Sequence, residues 1–127
     1  MTSLFETVGG EAFFERLVDR FYEGVSGDDV LLRLYPEPND LAGARKRLTL
    51  FLMQYWGGPT TYSDERGHPR LRQRHFPFAI GERERDHWLI HMCKAIDEVS
   101  PNEDIRTQLT EYVTNAATHL VNQPPSA

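Results

Sequence analysis

The segment from Tyr55 to Phe78, YWGGPTTYSDERGHPRLRQRHFPF, limits what this chain can fold into more than any other. An apolar helical run stops there at Gly57-Gly58-Pro59, two residues free of side-chain constraint followed by one that cannot donate to a helix. The polar, arginine-rich stretch that follows has no helical or strand period over about 20 residues, a length that compact domains seldom tolerate without a function. It ends at His75, set beside Phe76-Pro77-Phe78. So few apolar residues cannot build a core alone; the loop is tolerable if a ligand supplies the missing surface.

The remainder reads as helices separated by glycine and proline, with little strand signal. Phe14, Leu17, Val18, Phe21, Tyr22 and Val25 recur at steps of three and four, one helical stripe over 11–25 after the Gly9-Gly10 break. Ser26-Gly27-Asp28-Asp29 closes that stripe and caps a short helix carrying Val30, Leu31 and Leu34. Pro36-Glu37-Pro38 forces extended backbone, and Asn39 or Asp40 can cap a helix over 41–55 whose inward face is Leu41, Ala44, Leu48, Phe51, Leu52 and Tyr55. A third main helix, 81–99, aligns Trp88, Met92, Ile96 and Val99. Ser100-Pro101-Asn102-Glu103 reads as a capping box opening a fourth over 101–121. The expected fold class is all-α, one domain over 1–127 with a short frayed N-terminus and a 123–127 tail.

Composition narrows the function. At 127 residues with 39% apolar and 26% charged residues, the chain reads as an ordinary globular domain. A net charge of −5 argues against nucleic acid as a partner, because no domain-wide basic footprint exists. No apolar run is long enough for a membrane span, and no charged-then-apolar leader opens the chain. The single cysteine, Cys93, excludes an internal disulfide and suits a reducing cytoplasm.

The loop's chemistry is the most specific signal. One imidazole between a cationic strip and an aromatic wall suits a flat, largely apolar metal cofactor whose carboxylates need neutralising, which describes haem. His75 is the candidate iron ligand, with Phe76 and Phe78 as walls; the competing reading is a loop histidine bonded to backbone. Arg47, Tyr62, Arg72 and Arg74 are candidate partners for the carboxylates, since a guanidinium matches a carboxylate with a planar fork. Leu48, Phe51 and Met92 are candidate pocket lining. His87 and His91 have the i,i+4 spacing of a zinc pair, but sequence places no third ligand beside them, and their flanks read as a solvated face.

These residues resemble the truncated haemoglobins, specifically their second group. The resemblance rests on Gly9-Gly10, Tyr22, Tyr35-Pro36, the YWGGP-TYS block at 55–63, GHPRLRxRH at 67–75 and Trp88 within ERDHWL, and it spans roughly Phe5 to Asn122. It implies a two-over-two helical sandwich around haem b, with His75 as axial ligand and a propionate held by Arg47. The distal helix presents Ala44 where many globins carry a histidine, so donors to a bound ligand fall to Tyr22, Tyr35 and Trp88. Each of those aromatics alone would read as core packing.

The resemblance further implies reversible binding of O2 and other diatomic ligands. Donors aimed at a ligand that gains negative charge are each worth roughly 1.5–3 kcal/mol. Two of them slow O2 release too far for simple oxygen transport. That favours ligand sensing, or nitric oxide dioxygenase-like or peroxidase-like chemistry with NO, CO or peroxide as further ligands. A reductase partner and a homo-oligomer are both compatible with this reading. The competing class is a haem-free helical interaction module whose arginine-rich 66–74 loop docks an acidic partner.

Overall fold

The computed structural model describes residues 2–124. All elements among them are helices: α1 (Leu4–Thr7), α2 (Glu11–Val25), α3 (Asp29–Leu32), α4 (Ala42–Tyr55), α5 (Thr61–Arg66), α6 (Leu71–His75), α7 (Glu82–Val99) and α8 (Glu103–His119). None is long and apolar enough to cross a membrane among the described residues. Residues 125–127, the end of the expected tail, lie outside the described residues.

Two helix pairs, α2 with α4 and α7 with α8, pack on each other mainly through α2 against α7. The stripe read on α2 is the core: Phe13, Phe14, Leu17, Val18, Phe21, Tyr22 and Val25 are all buried, and Met92, Ile96, Leu109 and Val113 meet them from α7 and α8. Each large side chain so placed stabilises the fold by roughly 1.5–3 kcal/mol before conformational entropy is subtracted.

The helix boundaries follow the local chemistry. Asp28 caps α3, its side chain accepting from the Val30 and Leu31 amides. Asp40 accepts from Ala42 N at 3.2 Å and so steers the chain into α4. The start of α8 corrects the sequence reading: Asn102, not Ser100, is the cap, accepting from Ile105 N at 3.0 Å, and Pro101 stands before the helix.

The break after α4 has a steric cause. Gly57 sits at φ 101°, a region closed to most side chains. A Cβ on Gly58 would lie 2.7 Å from the Phe5 ring and 2.8 Å from the Met53 carbonyl. Phe5 N also bonds Trp56 O at 3.0 Å, so the N-terminal turn seals the end of α4.

The expected irregular loop is better ordered than its sequence suggested, for it contains α5 and α6. Their stability comes from side chains bonded to backbone. Gln54 exchanges two bonds with Ser63, at 2.8 and 3.0 Å. Arg74 donates to the carbonyls of Pro69 and Arg66, each at 2.6 Å. Arg72 reaches His119 O at 2.7 Å and ties α6 to the end of α8. Such bonds are polar, and most join a side chain to backbone, so no hydrophobic period announces them.

Candidate functional site

Between the two helix pairs lies a cavity of about 590 Å³. That volume falls within the ~300–1,000 Å³ typical of pockets enclosing a drug- or cofactor-sized ligand. Its walls are mostly apolar and come from α2 through α8 and the segments between them. The α4 face explains itself here: Ala44, Leu48 and Phe51 were expected to pack inward, yet they are only partly buried because they line the cavity. Tyr55, expected on the same face, is instead 52% exposed and stacks on Tyr112 at 3.9 Å.

His75 ends α6 and lines one side. Its Nδ1 lies 2.6 Å from the Leu71 carbonyl one turn earlier. A carbonyl can only accept, so Nδ1 is the donor here, and in the neutral imidazole that leaves the lone pair on Nε2, the tautomer that can bind a metal. The Phe78 ring stands at 6.4 Å, edge towards the imidazole. Asn122, which the sequence reading passed over, fixes this corner. It donates to the carbonyls of Phe78 at 2.8 Å and His75 at 3.2 Å, and its own oxygen accepts from Ile80 N at 2.9 Å.

The three expected donors meet at the same cavity, contributed by Tyr22, Tyr35 and Trp88. The Tyr35 hydroxyl donates to the Tyr22 oxygen across 3.4 Å, a long contact that an acceptor placed beside both phenols would replace. Burial raises the Tyr22 pKa against the lowering effects of Tyr35, Arg47 and Arg45. Burial, with Tyr22 beside it, raises that of Tyr35 far above its ordinary value. Both phenols therefore keep their protons at neutral pH and remain donors. Trp88 packs edge-on to Phe21 at 5.2 Å, and Phe21 in turn meets Tyr22 at 4.9 Å.

The cationic rim differs in part from expectation. Arg47 lines the cavity, and its charge is felt by both phenols. Arg74 also lines it, but much of its guanidinium is bonded to loop carbonyls, and it lies over the Tyr62 ring at 5.9 Å. Tyr62 is buried and lines the cavity as well. Arg72 does not: it is directed to the end of α8, so its expected role against a carboxylate gives way to a structural one. Arg66 takes a place on the rim that sequence had left unassigned. Met92 is likewise corrected, being fully buried in the core and absent from the cavity wall.

His87 and His91 are not a solvated pair. Their Nδ1 and Nε2 atoms lie 2.9 and 2.8 Å from the same Asp28 oxygen. Among the described residues no group of three His, Cys, Asp or Glu side chains has the arrangement of a metal site.

A sequence profile of the bacterial-like globin family matches residues 3–122 of this chain. The group 2 truncated hemoglobin YjbI of Bacillus subtilis is 41% identical over 90% of this chain and 85% of its own length. The chain belongs to the group II truncated haemoglobins. Solved structures agree. A thermostable hemoglobin from Thermobifida fusca superposes with a TM-score of 0.93 at 56% identity, covering 97% of this chain and 99% of that one. The group II truncated hemoglobin of Bacillus anthracis gives 0.90 at 40% identity, covering 98% and 99%.

The architecture is therefore the two-on-two globin fold, and as a globin the chain binds haem and small gaseous ligands. The residues present fit that cofactor on their own chemistry. An apolar slot offers one bare imidazole nitrogen on one side, three polar aromatics, and arginines at its edge.

Proposed function

We propose that this globin holds haem b through His75 Nε2 and binds O2 on the opposite side under the donors of Tyr22, Tyr35 and Trp88. The single observation that supports this most is the His75–Leu71 bond of 2.6 Å, which uses Nδ1 as the donor and so leaves Nε2 of the neutral imidazole for a metal, on a residue that lines a mostly apolar cavity. When bound, haem supplies a redox-active iron that takes a diatomic ligand or peroxide. The protein's part is to position and polarise. Ala44 and Leu48 keep the distal face of α4 free of donors. The phenols and the indole offer O–H and N–H groups to whatever charge the ligand gains. Arg47 is the propionate partner at the rim, with Arg66 and Arg74 beside it.

Two donors acting together slow O2 release by about a hundred- to ten-thousandfold if their effects add, a ceiling that coupled neighbours seldom reach. A protein that lets go so slowly is a poor carrier. The function that follows is ligand sensing or detoxification, in which held O2 meets nitric oxide or the iron meets peroxide, with a reductase restoring the ferrous state. The test is direct. Protein purified from cells should show a Soret band, and steady-state turnover of nitric oxide or peroxide with an electron donor separates an enzyme from a sensor. Absence of haem after expression with adequate iron would sink the proposal.

A further inference from the structure

Asp28 does not line the cavity, yet its carboxylate makes four hydrogen bonds. Oδ1 accepts from Val30 N at 3.0 Å and Leu31 N at 3.4 Å, which starts α3. Oδ2 accepts from His87 Nδ1 at 2.9 Å and His91 Nε2 at 2.8 Å, which grips α7. The side chain is only 11% exposed. Burial opposes its charge, but the bonds from His87, His91 and the Leu31 amide outweigh that and hold its pKa at about 2.

The clamp joins α3, whose Val30 and Leu31 are buried, to the first half of α7. The fully buried residues of α7 are Met92, Ala95 and Ile96, all beyond Trp88, while in the first half Trp88 and Leu89 pack against the core only partly buried. The other end, α3, has four residues, too few to be stable by itself. It leads through Leu34 to Tyr35, and both line the cavity. The seat is also shaped for its occupant: a Cβ on Gly24 would lie 2.3 Å from His91 Nδ1. Glycine in the last turns of a helix is a poor choice on propensity alone, so its presence there marks the room that His91 requires.

We propose that Asp28 is a positioning residue for ligand binding: through His87 and His91 it sets the turn of α7 that carries Trp88 against the α3 segment that leads to Tyr35. The indole and the phenols then converge on one point above the iron. This rests on the donor roles given under Proposed function, and the experiment separates the two ideas.

Asp28→Asn keeps an acceptor for the α3 cap but replaces Oδ2 with an amide that donates. Wild type, Asp28→Asn, Trp88→Phe and the double variant are loaded with haem. Stopped-flow gives O2 off-rates, and resonance Raman gives the iron–CO stretching frequency, which reports donors near the ligand. Asp28→Asn should speed O2 release at least about threefold and move the Raman band towards that of Trp88→Phe. In the Trp88→Phe background it should change the rate by less than about twofold, because residues acting through one another are not additive.

If Asp28→Asn leaves rate and band unchanged while Trp88→Phe moves both, the positioning role is wrong and the donor reading stands. Effects that add in full overturn the proposal too, since Asp28 would then act independently of Trp88. If Trp88→Phe moves neither, the donor reading itself falls. Should Asp28→Asn fail to fold, His87→Ala, which leaves the α3 cap intact, carries the same expectations.

Discussion

Replacing Trp88 by phenylalanine removes one N–H and little else, which makes it the cleanest probe of the distal side. The ring packs edge-on to Phe21 at 5.2 Å, and a phenyl group can keep much of that contact. In the proposed site Trp88 is the donor that α7 contributes, since Ala44 and Leu48 of α4 carry no donor and the two phenols come from other elements lining the same cavity. A hydrogen bond to a charged acceptor is worth roughly 1.5–3 kcal/mol, and the phenols can recover part of the loss by turning towards the ligand. A net loss of about 1.4 kcal/mol, tenfold in rate, is therefore the expected minimum for O2 release. CO gains little negative charge and should be released at a nearly unchanged rate. Off-rates are the fair comparison, since a smaller side chain also widens access and speeds entry for both ligands. Stopped-flow displacement of O2 and of CO from wild type and Trp88→Phe measures all four constants. An O2 off-rate that stays put, or shifts in step with CO, would refute the reasoning and leave Trp88 a wall residue, with the tyrosines as the stabilising groups.

Four further outcomes are expected. His75→Ala should lose stable haem while His87→Ala and His91→Ala retain it, as absorbance of the purified proteins will show; a normal ferrous spectrum from the His75 variant contradicts the assignment. Gly24→Ala should destabilise the protein by about 1–3 kcal/mol in urea titration, because the added methyl meets the His91 ring and overpacking outweighs the gain in helix propensity. Arg70, at φ 43° and ψ 52°, is a non-glycine residue in the left-handed region at the start of α6, so Arg70→Gly should leave stability equal or raised by up to about 1–2 kcal/mol; a clear loss would mean its side chain matters more than its backbone strain. Asp28 has a depressed pKa, so its stabilisation is full above the ordinary value of 3.8 and fades as pH falls towards about 2. In that window the haem-free wild type should lose its stability advantage over Asp28→Asn, and a constant difference by urea titration would contradict the clamp.

The sequence made the main helices legible because each carries its apolar face at steps of three and four. The stripe from Phe14 to Val25 is buried as a unit, and α2 begins and ends where expected. The two short helices of the loop were not legible, since they owe their stability to arginine and glutamine bonds to nearby backbone and have no period to read. In the candidate site, Tyr22, Tyr35, His75, Trp88 and Arg47 all reach the cavity. Met92 does not, because helical spacing shows which residues share a face but not how deep that face lies. Arg72 and Asn122 could not be sorted by spacing either; their partners lie 47, 44 and 42 residues away and are backbone atoms of any residue type. Asp28 was read as a helix cap, which it is, but its second role depends on histidines 59 and 63 residues along the chain.

That last case bears on how such a short globin keeps a polar distal site. In a helix facing the iron, one histidine would bring its donor on a rigid, well-packed element. Besides Arg47, α4 lines the cavity with the apolar Ala44, Leu48, Phe51 and Leu52, and in the proposed site the donors come from three separate places: Tyr22 from α2, Tyr35 from the segment beyond α3, and Trp88 from the partly buried half of α7. Tyr22 is fixed by burial, at 3% exposure within an aromatic cluster. Tyr35 and Trp88 pack against the core only partly buried, and a donor misplaced by an ångström contributes little, because hydrogen bonds weaken steeply with distance and angle. In the proposed arrangement, hydrophobic packing is supplemented by a tie between α3 and α7, a carboxylate held by two amides and two imidazoles. A histidine on the facing helix would make that tie redundant. Introducing one at position 44 should accordingly make O2 release less sensitive to Asp28→Asn than it is in the wild type.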